Sequence, residues 1–205
     1  MITLASSYWG PASYFKMLSM NEQIAIETQE HFIKQSFRNR CQIYGANGPL
    51  NLSIPLRKWK NNAPINQIKI SYEDNWQQVH WKSIESSYRA SPFFEFYEEE
   101  IKSFYQSAEI ESLLEFNQKT LFCILNLIKL KPNISETDRF EKQERDWRII
   151  LQPKNKGLNK AFQFPKYIQV FEDKHGFISN LSILDVLFNL GPQTSNYLNS
   201  IAINN

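Results

Sequence analysis

The sequence predicts a mixed α/β fold (α/β or α+β) in a single domain over residues 1–205. A central sheet comes from the N-terminal third plus one late strand, and helices flank it. Three observations predict it. Apolar residues alternate with polar ones in short runs of the first third, the period of a half-buried strand. In the middle they recur every three or four residues, the period of an amphipathic helix. A short strand-like run and a final helical run close the chain, and no repeat or Gly/Ser linker divides it.

Residues 2–8 read as a buried first strand ending at Gly10-Pro11, and residues 12–20 as a short helix. Ile24 and Ile26 share one face of a strand over residues 23–28. Residues 40–44 and 50–54 form a hairpin about the turn Ala46-Asn47-Gly48-Pro49, and Pro55 ends it. Ile68 and Ile70 mark another strand after a polar loop over residues 57–66.

Asp74 and Gln77 have capping-box spacing ahead of a helix whose face carries Trp76, His80, Ile84 and Tyr88. Ser91-Pro92 offers an N-cap and a first-turn proline to a second helix, with Phe93, Tyr97, Ile101 and Phe104 as its stripe. Ser107, Glu109 and Glu111 start a third, which carries Asn117 and Leu121 among its inner residues and closes at Lys129, Lys131 and Pro132. Residues 133–148 are charged and mostly lack apolar periodicity, which reads as a surface excursion or a short exposed helix. Residues 153–163 form a second polar loop. Residues 166–171 supply the late strand, Gly176 turns the chain, and Ser182 caps a helix over residues 183–190 that Gly191-Pro192 stops.

Composition bounds the function. Of 205 residues 42% are apolar and 14% aromatic, enough for a sizeable core and against disorder. A net charge of +2 gives no support to nucleic acid as a partner. The most apolar run, residues 121–130, is too short to span a membrane. Cys41 and Cys123 match no metal or redox spacing, and the first residues carry no basic flank of a signal peptide, so a cytoplasmic location is expected. The three histidines are too scattered for a metal site. No glycine fingerprint marks a nucleotide loop, and no particular cofactor is indicated.

The chemistry concentrates in Lys34-Gln-Ser-Phe-Arg-Asn-Arg40, with three cations in seven residues. Arg38 and Arg40 would share one face of a strand and suit a phosphate or carboxylate; the alternative is pairing with Glu27 or Glu30. Lys34 could join them. His80, one turn after Trp76, is the candidate acid or base, against the reading of a core histidine bonded to a backbone carbonyl. Asp185 is a capping-box acid or a carboxylate at a site mouth, with Asn189 one turn on. Cys41 adjoins Arg40 but points the other way, as a buried thiol would.

Several blocks, in order, resemble the WbqC-like family of bacterial proteins. Tyr8-Trp-Gly-Pro-Ala-Ser-Tyr14-Phe15 is similar to its N-terminal aromatic and proline motif, Phe37-Arg38-Asn39-Arg40 to its Arg-Asn-Arg block, and Leu52-Ser-Ile54-Pro55 to the strand that follows. Trp76, His80, Ile84, Tyr88 and Pro92-Phe93-Phe94 resemble its next region, and residues 180–192 a C-terminal motif of one branch. The chain departs from the pattern at Ala5-Ser6, where many members have Gln-Pro.

The resemblance implies a role in bacterial surface-polysaccharide (O-antigen type) biosynthesis, with acyl or aminoacyl (glycyl) transfer to a nucleotide-linked amino sugar as the suggested reaction. Arg38 and Arg40 would then hold the diphosphate, with Lys34 beside them. His80 would take the amine proton, and Tyr8, Tyr14 and Trp76 would line the sugar site near Asp185 and Asn189. The alternative is a non-catalytic ligand-binding or scaffold protein whose arginines latch salt bridges. The two readings part on whether His80 meets the arginines in one pocket.

Overall fold

The computed structural model describes residues 1–20, 23–106, 110–144, 146–155 and 157–204. β1 (Ile2–Ala5) leads through a tight turn, with Trp9 at φ 40°, into α1 (Ala12–Leu18) and then β2 (Gln23–Glu27). β1 stops at Ala5 and not at Tyr8, because the chain turns away and the Tyr8 N–H bonds the Phe37 carbonyl at 2.9 Å. β3 (Arg40–Gly45) and β4 (Gly48–Ser53) form the expected antiparallel hairpin, closed by Gly48 at φ 98°.

The expected strand at Ile68 and Ile70 is two single bridges, Leu56 with Ile70 and Lys69 with Ser112. Both isoleucines are fully buried. Their alternation therefore reports a core face and not a ladder.

Three helices follow: α2 (Trp76–Tyr88), α3 (Phe94–Gln106) and α4 (Leu113–Leu127). The Asp74–Gln77 capping box does not form; Asn75 is the N-cap, and its side chain caps no backbone N–H but donates to Gln78 Oε1. The Ser91 hydroxyl turns back to the Tyr88 carbonyl at 2.6 Å and so closes α2, although it was expected to open α3. α4 begins at Ser112, whose Oγ accepts the Glu115 N–H at 3.3 Å. Ser107 and Glu109, expected at its start, lie outside the described residues.

The stretch over 133–148 corrects the surface reading. It opens with β5 (Asn133–Glu136), which pairs with β2 and completes a three-stranded parallel sheet in the order β1-β2-β5. α5 (Trp147–Ile150) then packs on β1. α6 (Leu158–Ala161) and β6 (Phe162–Gln163) come next. The late strand over 166–171 is absent. There the Gln169 side chain does a strand's bonding, donating to the Ile178 carbonyl and accepting its N–H, both at 2.9 Å. α7 (Glu172–His175) follows.

α8 (Ile183–Leu190) starts at the Ser182 cap and ends at Gly191, φ 51°, where a Cβ would strike the Phe93 ring at 2.5 Å. It packs on α1, α3 and β3 with Ile183, Leu184, Val186, Leu187 and Phe188 fully buried. α9 (Thr194–Ser200) and β7 (Ala202–Ile203), paired with β6, end the fold.

Candidate functional site

β2 delivers Glu27 to the carboxyl end of the parallel sheet, the edge where ligands of open α/β sheets gather. Glu27 Oε1 accepts from the Gln29 N–H at 2.8 Å and the Thr137 hydroxyl at 2.7 Å, tying β2 to the end of β5. Its other oxygen takes Arg148 Nη1. Arg148 also grips Asp146 through Nε at 2.8 Å and Nη2 at 2.7 Å. Three residues past Glu27, Glu30 accepts Arg38 side-on, from Nε at 2.7 Å and Nη2 at 2.5 Å. Both arginines are almost wholly buried. Burial raises the Glu30 pKa, and the Arg38 bonds partly offset it. Asn117 on α4 fixes the turn by donating to the Arg38 carbonyl at 2.7 Å.

This ion network floors a cavity of about 320 Å³, with Gln29 and Gln152 on its walls and Ile33, Phe140 and Ile149 around it. A second cavity, of about 520 Å³, lies beyond the same two segments. Gln35, Phe37 and Arg40 line it where Ile33 and Arg38 line the first, and Pro153-Lys154 follows directly on Gln152. Its lining holds two cations, Arg40 and Lys154, and no carboxylate. Arg40 makes no ion pair among the described residues, and its buried Nε has no hydrogen-bond partner.

His80 sits elsewhere, in a buried chain of hydrogen bonds. Trp9 Nε1 donates to the Tyr105 hydroxyl at 2.8 Å, and Tyr105 and Tyr8 hydroxyls meet at 2.7 Å. The Tyr8 hydroxyl meets His80 Nδ1 at 2.8 Å, and the nearby Ser53 backbone partly offsets the effect of burial on the imidazole. An indole can only donate, so the protons run one way from Trp9 through Tyr105 and Tyr8 to Nδ1. That order suits neutral His80 with its proton on Nε2. Burial agrees, lowering its pKa to about 4.

The sequence-derived site residues thus separate. Arg38 and Arg40 do not share a face, because β3 begins only at Arg40 and Arg38 lies in the preceding turn. Arg38 takes the Glu30 alternative. Lys34 lies over the Trp59 ring at 5.2 Å. The Tyr14 hydroxyl is buried without a partner, near enough to feel Arg38 and Glu30. Tyr8 and Trp76 belong with His80, Trp76 edge-on to it at 5.1 Å.

Asp185 is not a capping acid. Its Oδ2 accepts from Tyr167 at 2.5 Å and Gln169 at 2.8 Å, and burial raises its pKa to about 6. Asn189 bonds the Asp185 carbonyl at 2.8 Å. The Cys41 thiol is buried, which raises its pKa. Sequence reading missed Arg148, Asp146 and Lys154 as site residues. Their signal was faint, because all three stand in charged or polar stretches without periodicity.

Among the described residues no group of three or more His, Cys, Asp or Glu side chains could hold a metal ion, and no helix is long and apolar enough to cross a membrane. A mixed α/β chain with these motifs in this order defines a class, and comparison with known proteins agrees. The chain matches the WbqC-like protein family over residues 6–159 and belongs to that family. It is 22% identical over 219 residues to Rv1507c, an uncharacterized protein of Mycobacterium tuberculosis, covering 94% of each chain. No solved structure matches it.

Proposed function

We propose that the protein binds a phosphorylated small molecule, a nucleotide-linked amino sugar, and serves cytoplasmic biosynthesis of bacterial cell-surface polysaccharide. Acyl or aminoacyl transfer to the sugar amine is the reaction the family resemblance gives it, with His80 no longer its base, since that imidazole lies outside the cavity of Arg40. One observation carries the proposal: Arg40 and Lys154 face one cavity with no carboxylate beside them. Arg40 is half-buried, its buried Nε lacks a partner among the described residues, and exposed Lys154 adds a second positive charge, so an anionic ligand would supply the missing counter-charge. In this reading Arg38 is a positioning residue. Its bidentate bond to Glu30 shapes the turn that carries Phe37 and Arg40 into the second cavity.

A second reading, a non-catalytic ligand-binding protein, is favoured by the place of His80, which is buried, holds the Tyr8 hydroxyl on Nδ1 and lines neither cavity. Calorimetry with UDP-glucosamine tests the shared core. Arg40→Ala with Lys154→Ala should weaken binding at least tenfold, since a hydrogen bond to a charged group contributes about 1.5–3 kcal/mol. Equal affinities would remove the cavity from the proposal. Mass spectrometry of the sugar after incubation with acyl donors separates the transferase from the binder.

A further inference from the structure

The first cavity differs in kind from the second. Its lining arginines are already paired, Arg38 with Glu30 and Arg148 with Asp146, and Glu27 behind the lining adds a third acid to Arg148. Neither guanidinium is therefore spare for an anionic ligand group. Its rim is apolar and open: Ile33 is 38%, Phe140 49% and Ile149 59% exposed. Of the exposed large apolar side chains, these three gather at one cavity.

The Arg148 guanidinium lies 4.5 Å from the Phe140 ring centre, a cation–aromatic contact. Two neutral amides, Gln29 and Gln152, and the His31 imidazole also line the cavity. Gln152 uses Nε2 on the Arg148 carbonyl at 3.1 Å, so its oxygen remains an acceptor. Paired guanidiniums, an exposed aromatic ring, an imidazole and neutral amides suit a planar, uncharged, hydrogen-bonding ring. They suit a hydrocarbon chain less, because the amides and ion pairs would face it unsatisfied.

Resting on the anionic-ligand reading above, we infer that the first cavity is a nucleobase subsite. A nucleoside diphosphate seats its base against Phe140, Ile149 and Ile33, with its phosphates at Arg40 and Lys154. The cavities are close enough for one ligand, since Gln152 of the first and Pro153 of the second are joined by a single peptide bond. The cavity volume, about 320 Å³, falls at the small end of ligand pockets, as a partial subsite should.

Calorimetry on the full chain with inorganic pyrophosphate, UDP and ADP tests this. One nucleotide should bind at least tenfold more tightly than pyrophosphate, given the usual strength of base stacking on aromatic side chains. Phe140→Ala with Ile149→Ser should abolish that advantage and leave pyrophosphate affinity unchanged. Both side chains are about half exposed, so the variant should keep its fold, and circular dichroism checks that. Nucleotides no tighter than pyrophosphate would overturn the subsite while sparing the anion site. An equal loss for both ligands, or tighter binding of an aliphatic acyl phosphate than of either nucleotide, would also overturn it. Binding by neither pyrophosphate nor nucleotide would sink the anion site and the subsite together.

Discussion

Arg38 and Arg40 stand two residues apart and meet opposite fates. Arg38 is nearly sealed from solvent and holds Glu30 with two parallel bonds. Arg40 opens into a cavity beside Lys154 and no acid. The difference teaches that a basic run is not one feature. A charge already paired inside the fold contributes to shape, and a charge left without a counter-ion is available to a ligand. The same division runs through the molecule. His80, Tyr8 and Asp185 are engaged in buried networks, whereas Arg40, on the wall of the second cavity, has no partner for its buried Nε among the described residues.

The broadest test of the engaged side removes residues 181–205, and with them Asp185 and the buried face of α8. Five fully buried apolar side chains are lost, on the order of 8–15 kcal/mol by transfer from water. That matches the whole stability of an ordinary domain. The truncated chain should be unfolded by amide exchange; a stable 1–180 core would make α8 an appendage.

Next in size, Arg38→Ala should cost about 3–5 kcal/mol in urea denaturation, because Glu30 is left buried without its partner. Arg148→Ala should cost at least as much, since it strands Glu27 and Asp146 together. Replacing both partners, Arg38→Met with Glu30→Leu, should recover most of the loss. A double variant as unstable as Arg38→Ala would mean that the turn needs the ion pair for more than charge balance.

His80 and Asp185 give a smaller and signed effect. Native His80 titrates near 4 against 6.5 for a free imidazole, so between these pH values only the unfolded chain binds the proton. Its contribution is intact above pH 6.5 and falls away towards pH 4, by about 3 kcal/mol at most. Asp185 has the opposite sign. It titrates near 6 against 3.8 when free, so the native state binds the proton and stability declines as pH rises from 3.8 to 6. The two flatten each other in the wild type. Denaturation from pH 4 to 7 should slope upward for Asp185→Asn and downward for His80→Asn, each relative to wild type. Parallel profiles would break the assignment of neutral His80 in the native state.

Much of the fold was legible where local period and burial agree. The β3–β4 hairpin, α2 and α8 follow from alternation, helical spacing and the Gly191 stop; α2 and α8 each bury a face, while in the hairpin Leu52 and Ile54 are buried and Leu50 is exposed. β5 was not legible, because a four-residue strand at a sheet edge is only half buried and its charges hide the pattern. The strand expected over 166–171 failed because one side chain, Gln169, satisfies the backbone that a ladder would have paired. The candidate site follows from the sequence only in part. The basic run marks the turn that holds Arg38 and Arg40, but which arginine is matched depends on Glu30, and the second cation, Lys154, is distant in sequence. Only the fold brings them together.

The smallest expected effect is the sharpest test of the comparison. Arg40→Gln with Lys154→Gln removes two positive charges from the second cavity without orphaning any acid, since none lines it. Stability in the absence of ligand should then not fall by more than about 0.5 kcal/mol, because Lys154 is exposed and half-buried Arg40 loses no ion pair among the described residues. It should even rise slightly at low salt, where two unscreened cations repel, and that gain should vanish as salt shortens the Debye length below about 10 Å. Urea denaturation at low and moderate ionic strength reads both. A loss of 2 kcal/mol or more, on the scale of an orphaned buried charge, would show that Arg40 has structural work like that of Arg38. The division between matched and available arginines would then collapse.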